Sequence, residues 1–504
     1  MGHGPTHDED DNSVSRRTFV RAAGASSIAV GLAGCSGGGN NSGGGTDTAT
    51  GTPISTEPPS EDITVKIGAD SLFKNNADAI EQTLHEDGGL PDNISLEVIA
   101  GSFESGDRQA KYQQLLNAGQ QEPTLLMMDN GWTIPFIARN QLANLDNVLP
   151  DSITSTVRED YFQSMVATAS GQDGSLYGIP LFAAFPTVQY RKDLFREAGY
   201  SDSDFETWAT EPMQWKQFSE MVAQVRDETG TEMGFNWQGK NYVGLACCDF
   251  VEFMGSWGGS YFGEFSNLFG PVGDRPVTVD EEQVVNAVRM MRTFIYGQDD
   301  PEALSDFTQC SPANVVSFTE EPSRKPFTNG NAVALRNWPY SININAKEKN
   351  FGTDLGAMPI PYHTPASESP YGPEIGGSTS ALGGWHLTLN PNSTDQQKQA
   401  AVQVFSALQN DQVRLNIFET VGWIPPIPDL VNSSQAQELE PLGRYVDTLK
   451  VAGENSVPRP VTAVWPSQSS KVSEEVNASL RQEKTPTEAL SSLKETLVAL
   501  EKQG

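Results

Sequence analysis

Positive charge is scarce in this 504-residue chain: 33 Lys and Arg stand against 65 Asp and Glu, a formal net charge of −32. Nucleic-acid binding is disfavoured by that balance, because phosphate contacts need a basic face. Cysteine is nearly absent. Cys35, Cys247, Cys248 and Cys310 are too few for a disulfide framework, and none has the C-x-x-C spacing of a zinc or redox site. Histidine is rare as well. Outside the leader only His85, His363 and His386 remain, with no H-E-x-x-H or other metal spacing, so no metal and no cofactor is expected. The one G-x-S-x-G match, Gly34-Cys35-Ser36-Gly37-Gly38, lacks the strand-turn-helix setting of a nucleophile elbow, and no catalytic residue is assigned. Long apolar runs are missing too. The stretch before Cys35 is too short for a comfortable transmembrane helix.

The acids are scattered rather than blocked, and the body is rich in aromatic and periodic apolar residues. Disorder therefore suits the leader alone. Dispersed carboxylates are expected on a protein from a halophile, here a halophilic archaeon, where salt screens their self-repulsion. The length exceeds what one hydrophobic core usually supports, so two lobes are expected.

Residues 1–35 read as an export signal. Arg16 and Arg17, followed by Phe19 and a short small-residue apolar run, resemble a Tat signal. Leu32-Ala33-Gly34-Cys35 resembles a lipobox, with Cys35 as the lipid acceptor. Residues 36–60, rich in Gly, Ser, Thr, Asn and Pro, read as a flexible tether. The expectation is a globular body exported by Tat and held by lipid at the outer face of the cytoplasmic membrane. A binding protein, an adhesin or a surface hydrolase would all suit that place.

In the body, Ile63 to Ile67 alternates as a strand, Leu72 to Leu84 reads as a helix, and Ile94 to Ile99 is a second strand. A helix over Asp107 to Ala118 and a short buried strand over Leu125 to Met128 follow. This order predicts an α/β fold with a parallel sheet, whose ligands bind at the carboxyl ends of the strands, near Asp129. Trp215, Phe218, Val222 and Val225 share a helix face that closes at Gly230. Asp280, Thr394 and Thr485 are expected helix caps, the last with Pro486 and Glu488 in a capping box.

Several segments then resemble the extracellular solute-binding proteins that include the maltose and trehalose/maltose binders. They are Tyr177-Gly178-Ile179-Pro180; Gln189 to Gly199; Phe327 to Ala334 with Trp338; Met358-Pro359; Gly383-Gly384-Trp385; Gly422-Trp423-Ile424-Pro425; and Arg459-Pro460 to Trp465. They run in order over nearly all of residues 62–500. The resemblance implies a two-lobe, type II periplasmic-binding-protein-like fold, with several crossing strands and a cleft between the lobes. One lobe would be residues 62–183 plus 354–383, the other 184–353 plus 384–504. It further implies a monomer that is no enzyme and that passes a sugar to an ABC permease driven by a separate ATPase.

A sugar needs aromatic platforms and a few fixed polar groups. Trp132, Trp257, Trp338 and Trp385 lie beside Gly, Ser, Asn or Pro rather than on amphipathic helix faces, although core packing is the usual fate of tryptophan. The resemblance favours Trp338 and Trp385, with Gly384 beside the latter. It also places Arg108, Asp129 and Arg459 among the ligand contacts, the alternatives being surface charge or inter-lobe salt bridges. Phe182 keeps a platform where many disaccharide binders carry an aromatic and then an acid, but Ala184 has no group to bond a hydroxyl. Glycerol-3-phosphate or another polyol phosphate is therefore the alternative ligand, and a surface glycoside hydrolase the alternative class. The state of Cys247, Cys248 and Cys310 stays open: buried thiols, a vicinal disulfide, or a bridge to Cys310.

Overall fold

The computed structural model describes residues 55–503. Arg16 and Arg17 of the expected Tat signal, Cys35 of the expected lipid site and most of the expected tether lie outside the described residues. The end of that tether is docked on the body. Gln403 Nε2 donates to the Thr56 carbonyl at 2.8 Å, Asn93 Nδ2 donates to the Pro59 carbonyl at 2.7 Å, and Pro59 is buried.

Alternation makes the first strand. In β1 (Ile63–Ala69), Val65 and Ile67 are buried while Thr64 faces solvent. β1 pairs in parallel with β2 (Ile94–Ala100) and with β3 (Leu125–Asp129), as the strand-helix-strand spacing predicts. The helix expected over 72–84 is two, Ser71–Asn75 and Ala77–Glu86, and Asp70 caps the first by accepting from the Phe73 N–H at 2.8 Å. Helix Ser105–Asn117 leads from β2 towards β3. The sheet is completed by β4 (Gly178–Ala184) and by β10 (Gly383–Leu389), which runs antiparallel between β3 and β4.

A second sheet has the order β6-β7-β5-β8, from β5 (Thr187–Arg191), β6 (Met233–Asn236), β7 (Ala332–Asn337) and β8 (Leu355–Met358). Every residue of β7 is buried, as fits a central strand covered on both faces. A small parallel ribbon joins β9 (Ser380–Ala381) to β11 (Ser456–Val457). The chain passes between the sheets at 185–186, again between β8 and β10, and finally after β11. This is the α/β two-sheet plan with crossing strands.

Two strands join the opposite sheet from the one the expected lobe division implies. β8 pairs with β5 in the second sheet, and β10 enters the first. Segment 395–452 follows β10 into the first core, and the chain returns to the second with Val457 of β11 and helices Trp465–Leu480 and Pro486–Glu501. A four-residue apolar strand such as β8 carries no periodicity that says which sheet it will join, and β10, buried along nearly all its length despite its polar His386 and Thr388, shows no half-exposed alternation either.

Helix Trp215–Thr229 closes at Gly230 in the left-handed conformation. Thr394 and Thr485 head their helices in capping boxes with Gln397 and Glu488, each cap worth about 1 kcal/mol. Asp280 caps nothing: the helix starts at Glu282, and Asp280 pairs with Lys494 at 2.8 Å. No helix among the described residues is long and apolar enough to cross a membrane.

His386 follows Trp385 on β10 and so points to the other face of the sheet, away from the cleft. It is fully buried, with Nδ1 2.9 Å from Thr133 Oγ1 and Nε2 3.2 Å from Thr168 Oγ1. Desolvation pushes its imidazole down to about 3, so it is neutral in the folded protein. The unfolded chain protonates it below about 6.5. Its contribution to stability is therefore full above that value and lost as pH falls. Between pH 7 and pH 5 this group alone should cost about 2 kcal/mol. Urea unfolding at both pH values should show a smaller acid loss in His386→Gln than in the parent; equal losses would refute the assignment.

Candidate functional site

The carboxyl ends of β3 and β7 and the start of β10 meet at one cleft of about 890 Å³, counting its open mouth. Its first wall is centred on Trp385, which lies in register with Asp129 on one side and Phe182 on the other. Trp385 is held from behind. The Arg108 guanidinium sits 4.4 Å from its ring centroid, and Trp132 meets it edge-on at 6.2 Å. Arg108 is itself buried, with Nη1 donating to the carbonyls of Ser102 and Phe103 and Nη2 3.9 Å from Asp70. Neither Arg108 nor Trp132 lines the cleft. They position Trp385 and the 102–105 loop.

Asp129 is tied at each oxygen. Oδ1 accepts from the Gly131 N–H at 2.8 Å and from Arg459 Nη1 at 2.9 Å, while Ser105 Oγ donates to Oδ2 at 3.2 Å. Arg459 comes from the third crossing, so this pair links that crossing to the first sheet. Gly131 makes room for it, since a Cβ there would lie 2.4 Å from Arg459 Nη1. Phe182 lies flat on Trp423, with ring centres 4.4 Å apart and planes 8° apart.

The second wall carries Trp338, Tyr242, Tyr340 and a Cys247–Cys248 disulfide. The disulfide answers the question the sequence left open; Cys310 is a free thiol buried in the second core, far up from its usual pKa through desolvation. Trp338 rests on the Gly383 backbone, where a Cβ would come within 2.5 Å of Cζ3. Gly384 has φ +131°, and its Cβ would lie 2.6 Å from the Phe182 carbonyl. Behind Trp338, the Arg336 guanidinium lies 4.7 Å from the ring centre. Arg336 grips Glu252 with Nε at 2.7 Å and with Nη2, donates to Gln238 at 2.7 Å, and lies 3.4 Å from Asp249. Burial pushes the Asp249 carboxyl up against the pull of Arg336, and Glu252 adds to the rise.

Tyr242 donates to Glu320 at 3.0 Å, and desolvation raises the Glu320 carboxyl above its ordinary range. The two walls touch through Lys240 and Glu104 at 3.4 Å and through the rings of Phe103 and Tyr340 at 6.1 Å. Among the described residues, no group of three or more His, Cys, Asp or Glu is placed to hold a metal.

Of the residues expected to hold a ligand, Asp129, Phe182, Trp338, Gly384, Trp385 and Arg459 come together at this cleft. Trp257 does not reach it. Its ring stacks on His363 at 3.7 Å and its Nε1 donates to Met290 Sδ at 3.3 Å, inside the second core. Glycine beside a tryptophan served there only to let a helix end turn. Trp423, Tyr242 and Tyr340 were not expected. Trp423 carries the same signal as Trp385, a preceding glycine; Tyr340 lies two residues beyond Trp338; Tyr242 has no signal in the sequence.

Residues 84–442 match the family model described as bacterial extracellular solute-binding protein. The chain belongs to this family. A relative from Deinococcus radiodurans, named "Probable ABC transporter-binding protein", is 26% identical over 409 residues, covering 80% of this chain and 85% of the relative. Among solved structures, maltose-bound T. maritima MalE3 is 25% identical with a TM-score of 0.71, covering 87% of this chain and 99% of its own. UgpB from Mycobacterium tuberculosis in complex with glycerophosphocholine shares the fold at 17% identity and a TM-score of 0.65, covering 87% and 98%. The extracellular solute-binding fold is thus the type II arrangement of the periplasmic binding proteins.

Gly384→Ala forces a side chain into the left-handed region and against a backbone carbonyl. It should cost about 1–3 kcal/mol in urea unfolding. A variant as stable as the parent would show that the β10 entry is free to shift.

Proposed function

We propose that this solute-binding protein captures a neutral carbohydrate, a di- or oligosaccharide, outside the cell and delivers it to the permease of an ABC importer powered by a separate ATPase. The observation that carries the ligand class is the charge of the cleft. Asp70, Glu104, Asp129 and Glu320 line it, and its one arginine, Arg459, is already paired with Asp129. Lys240, beside it, is paired with Glu104. A phosphate ester would meet carboxylates without a free cation to receive it, whereas carboxylates accept sugar hydroxyls well. The aromatic faces suit the C–H faces of pyranose rings. Maltose binding by the T. maritima relative supports this reading; glycerophosphocholine binding by UgpB represents the alternative. A hydrolase on this scaffold would need two carboxylates placed to act on the bond, and the family is one of binding proteins.

The remaining parts of the reading are export through the Arg16–Arg17 Tat signal, a lipid on Cys35 at the outer membrane face, and action as a monomer. The lobes would be the two sheet layers, closing on ligand by hinge motion at the crossings.

Tryptophan fluorescence of the chain from Glu61 onward, titrated in molar salt with glucose, maltose, trehalose, maltotriose and glycerol-3-phosphate, tests the ligand class. Saturation by a sugar is expected, with the sugar recovered intact. Affinity should fall about tenfold or more in Trp385→Ala and Trp338→Ala, but stay unchanged in Trp257→Phe. Saturation by the phosphate ester alone would overturn the carbohydrate assignment. The acidic surface makes a separate prediction: the thermal midpoint should drop as salt falls from molar to dilute, and a constant midpoint would remove the halophile reading.

A further inference from the structure

The Cys247–Cys248 disulfide has no work to do as a cross-link. The stabilisation a disulfide gives by restricting the unfolded chain grows with the loop it closes, and these residues are neighbours. It ties no two elements together either, since both cysteines lie in one π-helical turn, Leu245–Asp249. What distinguishes it is position. Both residues line the cleft, packed with Ala381 of the crossing strand and with Trp338. The turn is held from behind: Asp249 accepts from the Gln238 N–H at 2.9 Å and pairs with Arg336, and the Tyr261 hydroxyl donates to the Ala246 carbonyl at 2.6 Å. Joined sulfurs carry no S–H donor and one fixed geometry; two thiols would carry donors and turn independently. The result is a rigid, apolar, polarisable plate beside Trp338, in a cleft that also carries aromatic faces and the carboxylates of Asp70, Glu104, Asp129 and Glu320.

We propose that the Cys247–Cys248 disulfide is a ligand-contacting platform which, with Trp338, receives the apolar face of a sugar ring. This rests on the carbohydrate reading of the cleft and adds to it a residue pair that selects a ring with an uninterrupted C–H face. The joined sulfurs themselves offer a hydroxyl no donor and only a weak acceptor, so substituents on that face are disfavoured there.

The test uses the full chain, titrated with maltose, trehalose and maltotriose before and after reduction by tris(2-carboxyethyl)phosphine. Reduction is verified by the mass gain of two hydrogens. The buried Cys310 is a thiol in both states. Oxidised protein should bind, and the reduced protein should bind about tenfold more weakly, with its thermal midpoint unchanged within a few degrees. The double variant Cys247→Ala, Cys248→Ala should bind as weakly as the reduced parent and ignore the phosphine. It also decides the matter should reduction itself unfold the parent. Equal affinity in the oxidised parent and the double variant would overturn the platform while leaving the carbohydrate reading intact. Failure of the oxidised parent to bind any of the three sugars would overturn both.

Discussion

One buried guanidinium holds the ligand-facing wall of the second layer. Arg336, at the end of β7, is bonded to Glu252 and Gln238, lies beside Asp249, and supports the Trp338 ring. Glu252 in turn accepts from the Ala381 N–H at 3.2 Å, which brings in the crossing strand. A strand end, a helix, a π-turn and an inter-sheet crossing thus meet at one charge. Removing one partner of such a buried set typically costs about 3–5 kcal/mol, because the remaining charges are left without solvent. The set contributes less as net stability than as geometry: each member has a single place to go.

The opposite wall is built on different physics. Trp385 is fixed by packing rather than by a charge network, between the Arg108 guanidinium and the edge of Trp132. The two walls then depend on a pair of glycines. Gly383 lets Trp338 of the second layer rest on the backbone of the first, and Gly384 lets β10 turn in under Phe182. The place where the layers join is also the place where a ligand would sit, so the proposed hinge and the candidate site share residues. A ligand touching both walls acts directly on the segments that would move.

The ordering of the early body was legible in the sequence because its elements are local. β1, β2, β3 and the helices between them follow from alternation, turn glycines and caps, and the capping boxes at Thr394 and Thr485 stand as written. The site was legible where a tryptophan sits beside glycines that no helix or core requires, as at Trp385. It misled at Trp257, whose glycine ends a helix in the second core. Arg108 carried the right chemistry for a hydroxyl but spends it on the Ser102 and Phe103 carbonyls and on Trp385.

By itself the sequence determined the α/β class, the strand-end location of the cleft beside Asp129, and the aromatic supply, because each follows from residue type and short-range periodicity; the further carboxylates of the lining, Asp70, Glu104 and Glu320, came only from the fold. Tertiary structure alone decided which sheet β8 and β10 would join, since strands buried on both faces are interchangeable until an edge is available. It alone paired Asp129 with Arg459, joined Cys247 to Cys248 within the cleft, and turned Arg108 inward. Those outcomes depend on which distant groups share a desolvated space, where an unpaired charge is too costly to leave and a polar group takes whatever partner the fold brings within reach.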